Sequence, residues 1–318
     1  MIWILPLVLG CGGDELSASW QLDRTRILAV RPIVDTEPDQ VLGTRAEGGP
    51  GETLRFESLT YALPEDPIGG LLWIACLDEE NPNDGCSIEE EGDEGDEGDE
   101  GEEDDDLDSK AGFIGFEPFF SPVLPIPEGI LDTLPDEDRE EGISALVNII
   151  AIPESELDEL DALEDEVSEK DDLNADNYEI AFKRVPISES PTPNHNPDII
   201  DFVVAGQRLE GAAGFNARTG KTYIVEPLLA EGHIETYAYT LSTGEVEYRS
   251  EEPYFSWFTE LGADEMKHAA QFDQPYSLHP YNEVEWTAPD NAGMITIHVV
   301  VRDRRGGMGW RTLTVNVL

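Results

Sequence analysis

Basic residues are scarce: 19 Lys plus Arg stand against 70 Asp plus Glu in 318 residues, a formal net charge of −51. Such a surface repels phosphates, which excludes nucleic acid as a partner. Cysteine is nearly absent, with three in the chain. That is too few, and too widely spaced, for a zinc site or a CxxC redox centre. No stretch after the first dozen residues approaches the ~18 apolar residues that a spanning helix needs. GxSxG, HExxH and GxGxxG are missing. Gly214-Phe-Asn-Ala-Arg-Thr-Gly220-Lys221-Thr222 departs from a phosphate-binding loop twice over. Five residues separate its glycines where the motif has four, and the strand-like Tyr223-Ile-Val-Glu follows where a helix N-terminus must face the phosphates. A hairpin turn is expected there. The five histidines, His195, His233, His268, His279 and His298, are scattered. His298 falls on the polar side of an alternating strand and is expected at the surface.

What the chain has in abundance is acid. Residues 78–109 contain 19 acidic residues and no basic one, including Gly92-Asp-Glu-Gly-Asp-Glu-Gly-Asp-Glu-Gly101. Such a run buries too little apolar surface to offset the entropy of ordering, so a disordered insert is expected over 87–110. Its carboxylates, Asp93, Glu94, Asp96, Glu97, Asp99 and Glu100, suit weak cation condensation. An ordered calcium loop is not expected, because the nearest match, Glu80 to Glu91, has Pro82 at a ligand place. No metal site, cofactor or catalytic residue is assigned. A second acidic stretch, 154–172, spaces Leu157, Leu160, Leu163 and Val167 three or four apart, which predicts one short amphipathic helix.

Hydrophobic content is 39%, enough for real cores once the acidic runs are set aside. Apolar and β-branched runs recur at 25–30, 52–63, 71–77, 143–152 and 178–187. They resume at 198–205, 223–229, 234–241, 254–258, 283–286, 294–302 and 310–318. Their length and their Gly, Pro and Asn punctuation favour strands. In the last pair, Ile295, Ile297, Val299 and Val301 alternate with more polar neighbours. A turn at Arg304-Arg305-Gly306-Gly307 follows, and Leu313, Val315 and Val317 alternate on the return, the pattern of a half-buried hairpin. Between the halves lies Ser188 to Pro197, a Pro/Asn-rich joint for which extended, stiff spacing is expected.

The N-terminal ten residues are apolar and end in a small residue before Cys11. This is the form of a processing segment. Val8-Leu9-Gly10-Cys11 resembles the lipobox of bacterial lipoproteins, in which the cysteine is acylated and begins the mature chain. The resemblance implies export and a lipid anchor at Cys11 in an outer membrane or cell surface, held by more than one acyl chain. Cys76 and Cys86 then remain as an even pair in an exported chain, so one disulfide is expected, contributing about 2–3 kcal/mol through its short loop.

The segments Glu252-Pro-Tyr-Phe-Ser-Trp-Phe, Glu285-Trp-Thr-Ala-Pro-Asp-Asn-Ala-Gly and Val299-Val-Val-Arg-Asp-Arg-Arg-Gly-Gly resemble the Ig-like or PKD-like repeats of bacterial surface proteins. Leu71-Leu-Trp-Ile-Ala-Cys76 resembles a diverged second copy. The resemblance implies an all-β chain of two Ig-like β-sandwich domains in tandem. The order is a signal segment 1–10, a linker 11–22, a first domain 23–188, a joint 189–197 and a second domain 198–318. It carries no activity with it, so function is expected to be a non-enzymatic surface module, monomeric, that binds or displays a surface protein or polysaccharide. The alternatives are an exported hydrolase with no recognisable motif, and a structural spacer whose acidic insert binds cations weakly. The rings expected to meet a partner are Tyr254, Phe255, Tyr276 and Tyr281.

Overall fold

The computed structural model describes residues 21–34, 44–77, 112–136, 138–157, 178–209, 214–241, 243–260, 267–268 and 283–318. The first half holds β1 (Arg26–Val34), β2 (Thr53–Tyr61), β3 (Ile68–Leu77), β4 (Gly112–Glu117), β5 (Val123–Pro125), β6 (Ile143–Pro153) and β7 (Glu179–Ile187). They form two sheets, β1-β2-β5 and β4-β3-β6-β7. Alternation along each strand sends one set of side chains between the sheets. There Leu54, Phe56, Trp73, Val147, Ile149 and Val185 make a closed core, with the Phe56 and Trp73 rings 5.9 Å apart.

The second half holds β8 (Ile199–Val204), β9 (Gln207–Leu209), β10 (Phe215–Ala217), β11 (Thr222–Leu229), β12 (Thr236–Thr240) and β13 (Val246–Ser250). It continues with β14 (Tyr254–Thr259), β15 (Lys267–His268), β16 (Val284–Thr287), β17 (Gly293–Arg302) and β18 (Met308–Val317). Sheets β10-β18-β17-β14 and β15-β16-β11-β8-β9 face each other, and β12-β13 stand apart as a ribbon. Trp257, Trp286, Ile297, Val299, Leu313 and Val315 fill the space between the two sheets. The chain is all-β, two Ig-like sandwiches in tandem. The terminal hairpin pairs Ile297 with Leu313 and Ile295 with Val315, on the inward side that alternation predicts. Residues 214–222 run from β10 through a turn into β11, with no helix to face a phosphate.

Three expectations need correction or limit. Of the helix expected over 154–172, the described residues hold only a 3₁₀ turn, Glu154–Glu156, and the rest lies outside them. A Cβ at Gly69 would collide with Leu157, so the first leucine of the stripe does rest against β3. His298 is buried, not at the surface. Its neighbour Val300 belongs to a cluster with Leu22, Leu28, Ala29, Phe258 and Met308, so this face of β17 is covered by the first half of the chain. Burial pushes the His298 ring down to about 4, and its Nδ1 lies 3.0 Å from Thr312 Oγ1.

The joint is not a spacer either. Asn194 and Asn196 are buried. Asn196 Nδ2 donates to Pro32 O at 2.8 Å, and Asn196 Oδ1 accepts from Met308 N at 3.0 Å, so one side chain ties β1 to β18. Arg302 donates to Leu28 O at 3.2 Å, and the Arg31 guanidinium lies 4.3 Å from the Trp310 ring centroid. Prolines and asparagines that look like a spacer in sequence are here the lining of a buried seam.

Candidate functional site

The ribbon β12-β13 pairs Tyr237 with Arg249, Ala238 with Tyr248 and Tyr239 with Glu247. Gly244, at φ 80°, takes the left-handed position that its turn requires. Strand alternation puts Tyr237, Tyr239, Glu247 and Arg249 on one face. The Arg249 guanidinium lies 3.6 Å from the Tyr239 ring centroid and pairs with Glu247. The Arg305 guanidinium lies 4.4 Å from the centroid of Tyr237. Between this ribbon and the β17–β18 turn opens a cleft of about 760 Å³, lined by Tyr237, Arg249, Glu251, Glu252, Asp303 and Arg304 among others. Arg304, in the left-handed conformation at φ 71°, lines the cleft from that turn. Tyr254 is half-buried beside it, with Arg302 and Arg304 at 5.7 and 5.8 Å from its ring.

The floor is a buried network. Glu251 is 3% exposed; it accepts from Arg305 Nη1 at 3.0 Å and from Glu235 N at 2.9 Å. Burial pushes its carboxyl up to about 7, with Asp303 and Glu235 adding repulsion. Burial acts on Glu235 in the same sense. There it is outweighed by hydrogen bonds from the ring and backbone of His195 and by the Arg305 charge, which hold this carboxyl below the ordinary range. His195 Nδ1 lies 2.8 Å from Glu235 Oε1. Asp303, also buried, accepts from Arg305 N at 2.7 Å, Gly307 N at 2.9 Å and Asn194 Nδ2 at 2.9 Å. Every carboxylate of this floor is thus engaged by a guanidinium, an imidazole or a backbone N–H. The mouth offers rings, guanidiniums and carboxylates to a ligand. Among the described residues no group of three or more His, Cys, Asp or Glu is placed to hold a metal ion.

None of the residues expected to form a site lines this cleft; Tyr254 sits beside it, near Arg304. Phe255 points inward, 5% exposed, into the second core, because alternation puts adjacent residues on opposite faces. Tyr276, Tyr281, Cys11, Cys86 and the carboxylates Asp93, Glu94, Asp96, Glu97, Asp99 and Glu100 lie outside the described residues. Cys76 is buried near the end of β3. Tyr237, Arg249, Glu251 and Arg304 were missed. The signal available was Thr-Tyr-Ala-Tyr-Thr at 236–240, aromatic at every second place, together with three arginines within four residues at 302–305 in a chain that has so few basic side chains.

No family model matches the chain, and no curated protein matches it. No helix among the described residues is long and apolar enough to cross a membrane. Among solved structures, one similar to part of the chain is a nucleoside hydrolase-related hypothetical protein from Saccharophagus degradans associated with carbohydrate metabolism. Identity is 18% and the TM-score 0.24, over 40% of this chain and 26% of that one, so the aligned part is about a quarter of that protein's length. The fibronectin(III)-like modules of Clostridium thermocellum CbhA align over 90% of this chain and 93% of theirs, at 7% identity and a TM-score of 0.24. The Bacteroides ovatus mixed-linkage glucan utilization locus protein SGBP-B, solved with a mixed-linkage heptasaccharide, aligns over 94% of this chain and 71% of its own, at 10% identity and a TM-score of 0.20. At these scores the fold rests on the strand pairing described above, and no activity is taken from the likenesses.

Proposed function

We propose that this chain is a non-catalytic, exported surface module, tethered by lipid on Cys11, whose second sandwich binds a polysaccharide in the cleft beside the β12-β13 ribbon. The observation that carries the reading is the cleft's composition. Tyr237, with Arg305 against its ring, adjoins Arg249, Glu252 and Arg304 in an open trough of about 760 Å³. Tyrosine rings give the C–H faces of sugars an apolar platform, and guanidiniums and carboxylates bridge neighbouring hydroxyls with charge-assisted hydrogen bonds. The size falls in the usual range of about 300–1,000 Å³ for small-ligand sites. Locally Arg249, Arg302, Arg304 and Arg305 offset Glu235, Glu247, Glu251, Glu252 and Asp303 almost one for one. An uncharged ligand therefore escapes the repulsion of the rest of the chain. A hydrolytic role is disfavoured because the floor carboxylates are already engaged by Arg305, His195 and backbone N–H groups. Support for export is the Val8-Leu9-Gly10-Cys11 segment and the Cys76 and Cys86 pair.

The test is affinity electrophoresis of the full chain through gels containing soluble glucans, xylans, mannans or galactans. At least one polysaccharide should retard the protein, and Tyr237→Ala or Arg249→Ala should weaken that retardation tenfold or more. Absence of retardation by every class, or retardation unchanged in both variants, overturns the reading.

A further inference from the structure

In a two-layer sandwich one face of each sheet packs on the core and the other meets water, and the outer face then reads as polar. The sheet β4-β3-β6-β7 breaks this rule. Its inner face carries Trp73, Ala75, Val147, Ile149 and Val185. Its outer face carries two apolar cross-strand rows, with Leu146 and the exposed Arg184 in the row beyond them. In the first, Phe113 pairs with Ile74, Ile74 with Asn148 and Asn148 with Phe182; in the second, Phe116 pairs with Leu72, Leu72 with Ile150 and Ile150 with Ile180. Seven of these eight residues are apolar. Phe182 is 74% exposed, Phe113 62% and Ile180 55%; Phe119 and Phe120, just beyond β4, are 68% and 64% exposed. Phe119 stacks on Phe116 with centroids 5.7 Å apart, so the apolar surface runs past the sheet edge. Four strands at about 4.8 Å spacing make a face about 15 Å across, and an exposed apolar area of this kind on a monomer marks an interaction site.

The charge around this face selects its occupant. The chain leaves the sheet after Leu77 and returns at Gly112, and the stretch 78–109 between them has 19 acidic residues and no basic one. At the sheet's other end the chain leaves β6 at Pro153 and returns on β7 at Glu179, and residues 158–177 there carry ten acidic side chains against Lys170 alone. Both connections that leave the ends of this sheet are thus strongly acidic in sequence. A second copy of the chain, or an anionic membrane, would bring like charge to like charge. A segment with an apolar stripe flanked by Lys and Arg meets both features at once. A helix about 10–12 Å wide with its side chains covers a face of this width.

We propose that the outer face of β4-β3-β6-β7 is a docking surface for a cationic amphipathic helix, seated on Phe113, Leu72, Ile150, Ile180 and Phe182. This proposal is independent of the polysaccharide cleft, which lies on the other sandwich.

The probe is a fluorescent 18-residue Leu/Lys amphipathic helix, titrated into the full chain and read by anisotropy. A Leu/Glu peptide of the same pattern and a Lys-rich peptide without an apolar stripe serve as controls. Phe182→Ser and Phe113→Ser are made singly, since each removes an exposed ring and leaves the core intact. The expected result is saturable binding of the Leu/Lys peptide, weakened at least tenfold by each substitution and weakened again when salt is raised from about 50 to 300 mM. Neither control peptide should compete. Binding of the Leu/Lys peptide that survives both substitutions would overturn the proposal, because the acidic stretches alone would then account for it. So would no binding, equal binding of the Leu/Glu peptide, or dimerisation or uptake onto phosphatidylcholine vesicles that Phe182→Ser abolishes.

Discussion

Replacing Asn196 by alanine tests whether the two sandwiches are joined through a buried seam. The side chain is 2% exposed. Its Nδ2 donates to Pro32 O at 2.8 Å, Thr44 Oγ1 at 3.0 Å and Arg45 O at 3.3 Å, and its Oδ1 accepts from Met308 N at 3.0 Å. Alanine leaves at least two buried main-chain groups, Pro32 O and Met308 N, without these partners. Each buried polar group left unpaired costs about 1–3 kcal/mol, and a water admitted to the gap recovers part of that, so the net loss should be about 2–4 kcal/mol. Because Asn196 reaches into both halves, the loss should appear as uncoupling as well as destabilisation. Urea unfolding followed by tryptophan fluorescence reads both sandwiches at once, since Trp73 lies in the first core and Trp257 and Trp286 in the second. The unsubstituted chain should unfold with one main transition, and Asn196→Ala should lower the midpoint and broaden or split it. A change below about 0.5 kcal/mol, with the transition unaltered, would show that the seam does not bear on stability and would refute the reasoning.

Two buried groups should give opposite pH slopes. The Glu251 carboxyl, raised to about 7 from 4.5, binds its proton more tightly in the folded chain, so its contribution is full below 4.5 and is lost as pH rises to about 7. The His298 ring, lowered from 6.5 to about 4, binds its proton less tightly when folded, so its contribution is lost as pH falls through the same region. Each amounts to at most about 3 kcal/mol over its window. Relative to the unsubstituted chain, the Tm of Glu251→Gln should rise more steeply from pH 4.5 to 7 and that of His298→Gln less steeply; parallel curves would contradict both shifts. Intact mass of protein extracted from membranes, with and without reductant, checks the anchor and the Cys76 to Cys86 bond. The mature chain should begin at Cys11 with added acyl mass and gain about two daltons on reduction. An unacylated chain with free thiols would remove both.

The strands were legible where alternation or apolar runs extend over eight or more residues. β3, β6, β7, β17 and β18 carry enough β-branched and aromatic side chains that tertiary context only confirms the local preference. The pieces that escaped are short or charged: β10 is three residues pairing parallel with β18, and β13 is Val-Glu-Tyr-Arg-Ser, whose partner strand supplies the reason for its extension. The joint misleads for a different cause. Pro and Asn do set an extended backbone, but the amide of Asn196 is a four-handed donor and acceptor, and what it finds is set by residues more than a hundred positions away. The cleft was hardly legible: Tyr254 sits beside it, near Arg304, and Phe255 is core. The apolar outer face was visible in principle. Leu71 to Leu77 and Ile143 to Ile152 are nearly continuous apolar runs where a one-sided strand should alternate, and that excess on the second face is what a partner would cover.

The seam and the cleft meet at the β17–β18 turn, which makes Lys183 an informative residue. It lies on β7 of the first sandwich, 8% exposed, and its Nζ donates to Gly306 O in the turn of the second. Burial pushes the amine down to about 8, with Asp303 opposing the shift and Arg302 assisting it. A lysine whose folded value lies below its unfolded value of 10.5 holds fewer protons in the folded chain, so stability rises with pH between about 8 and 10.5. Methionine keeps the length and apolar stem of this side chain while removing both the desolvated charge and the hydrogen bond. These changes oppose each other, because a buried charge is expensive to hold and the carbonyl it served loses a donor. Lys183→Met should therefore alter stability at pH 7 by no more than about 1 kcal/mol, and flatten the rise above pH 8. A loss of about 3 kcal/mol or more at pH 7, with the alkaline rise intact, would mean that the amine is fully charged and indispensable to the seam. The desolvation assigned to this corner of the molecule would then be wrong.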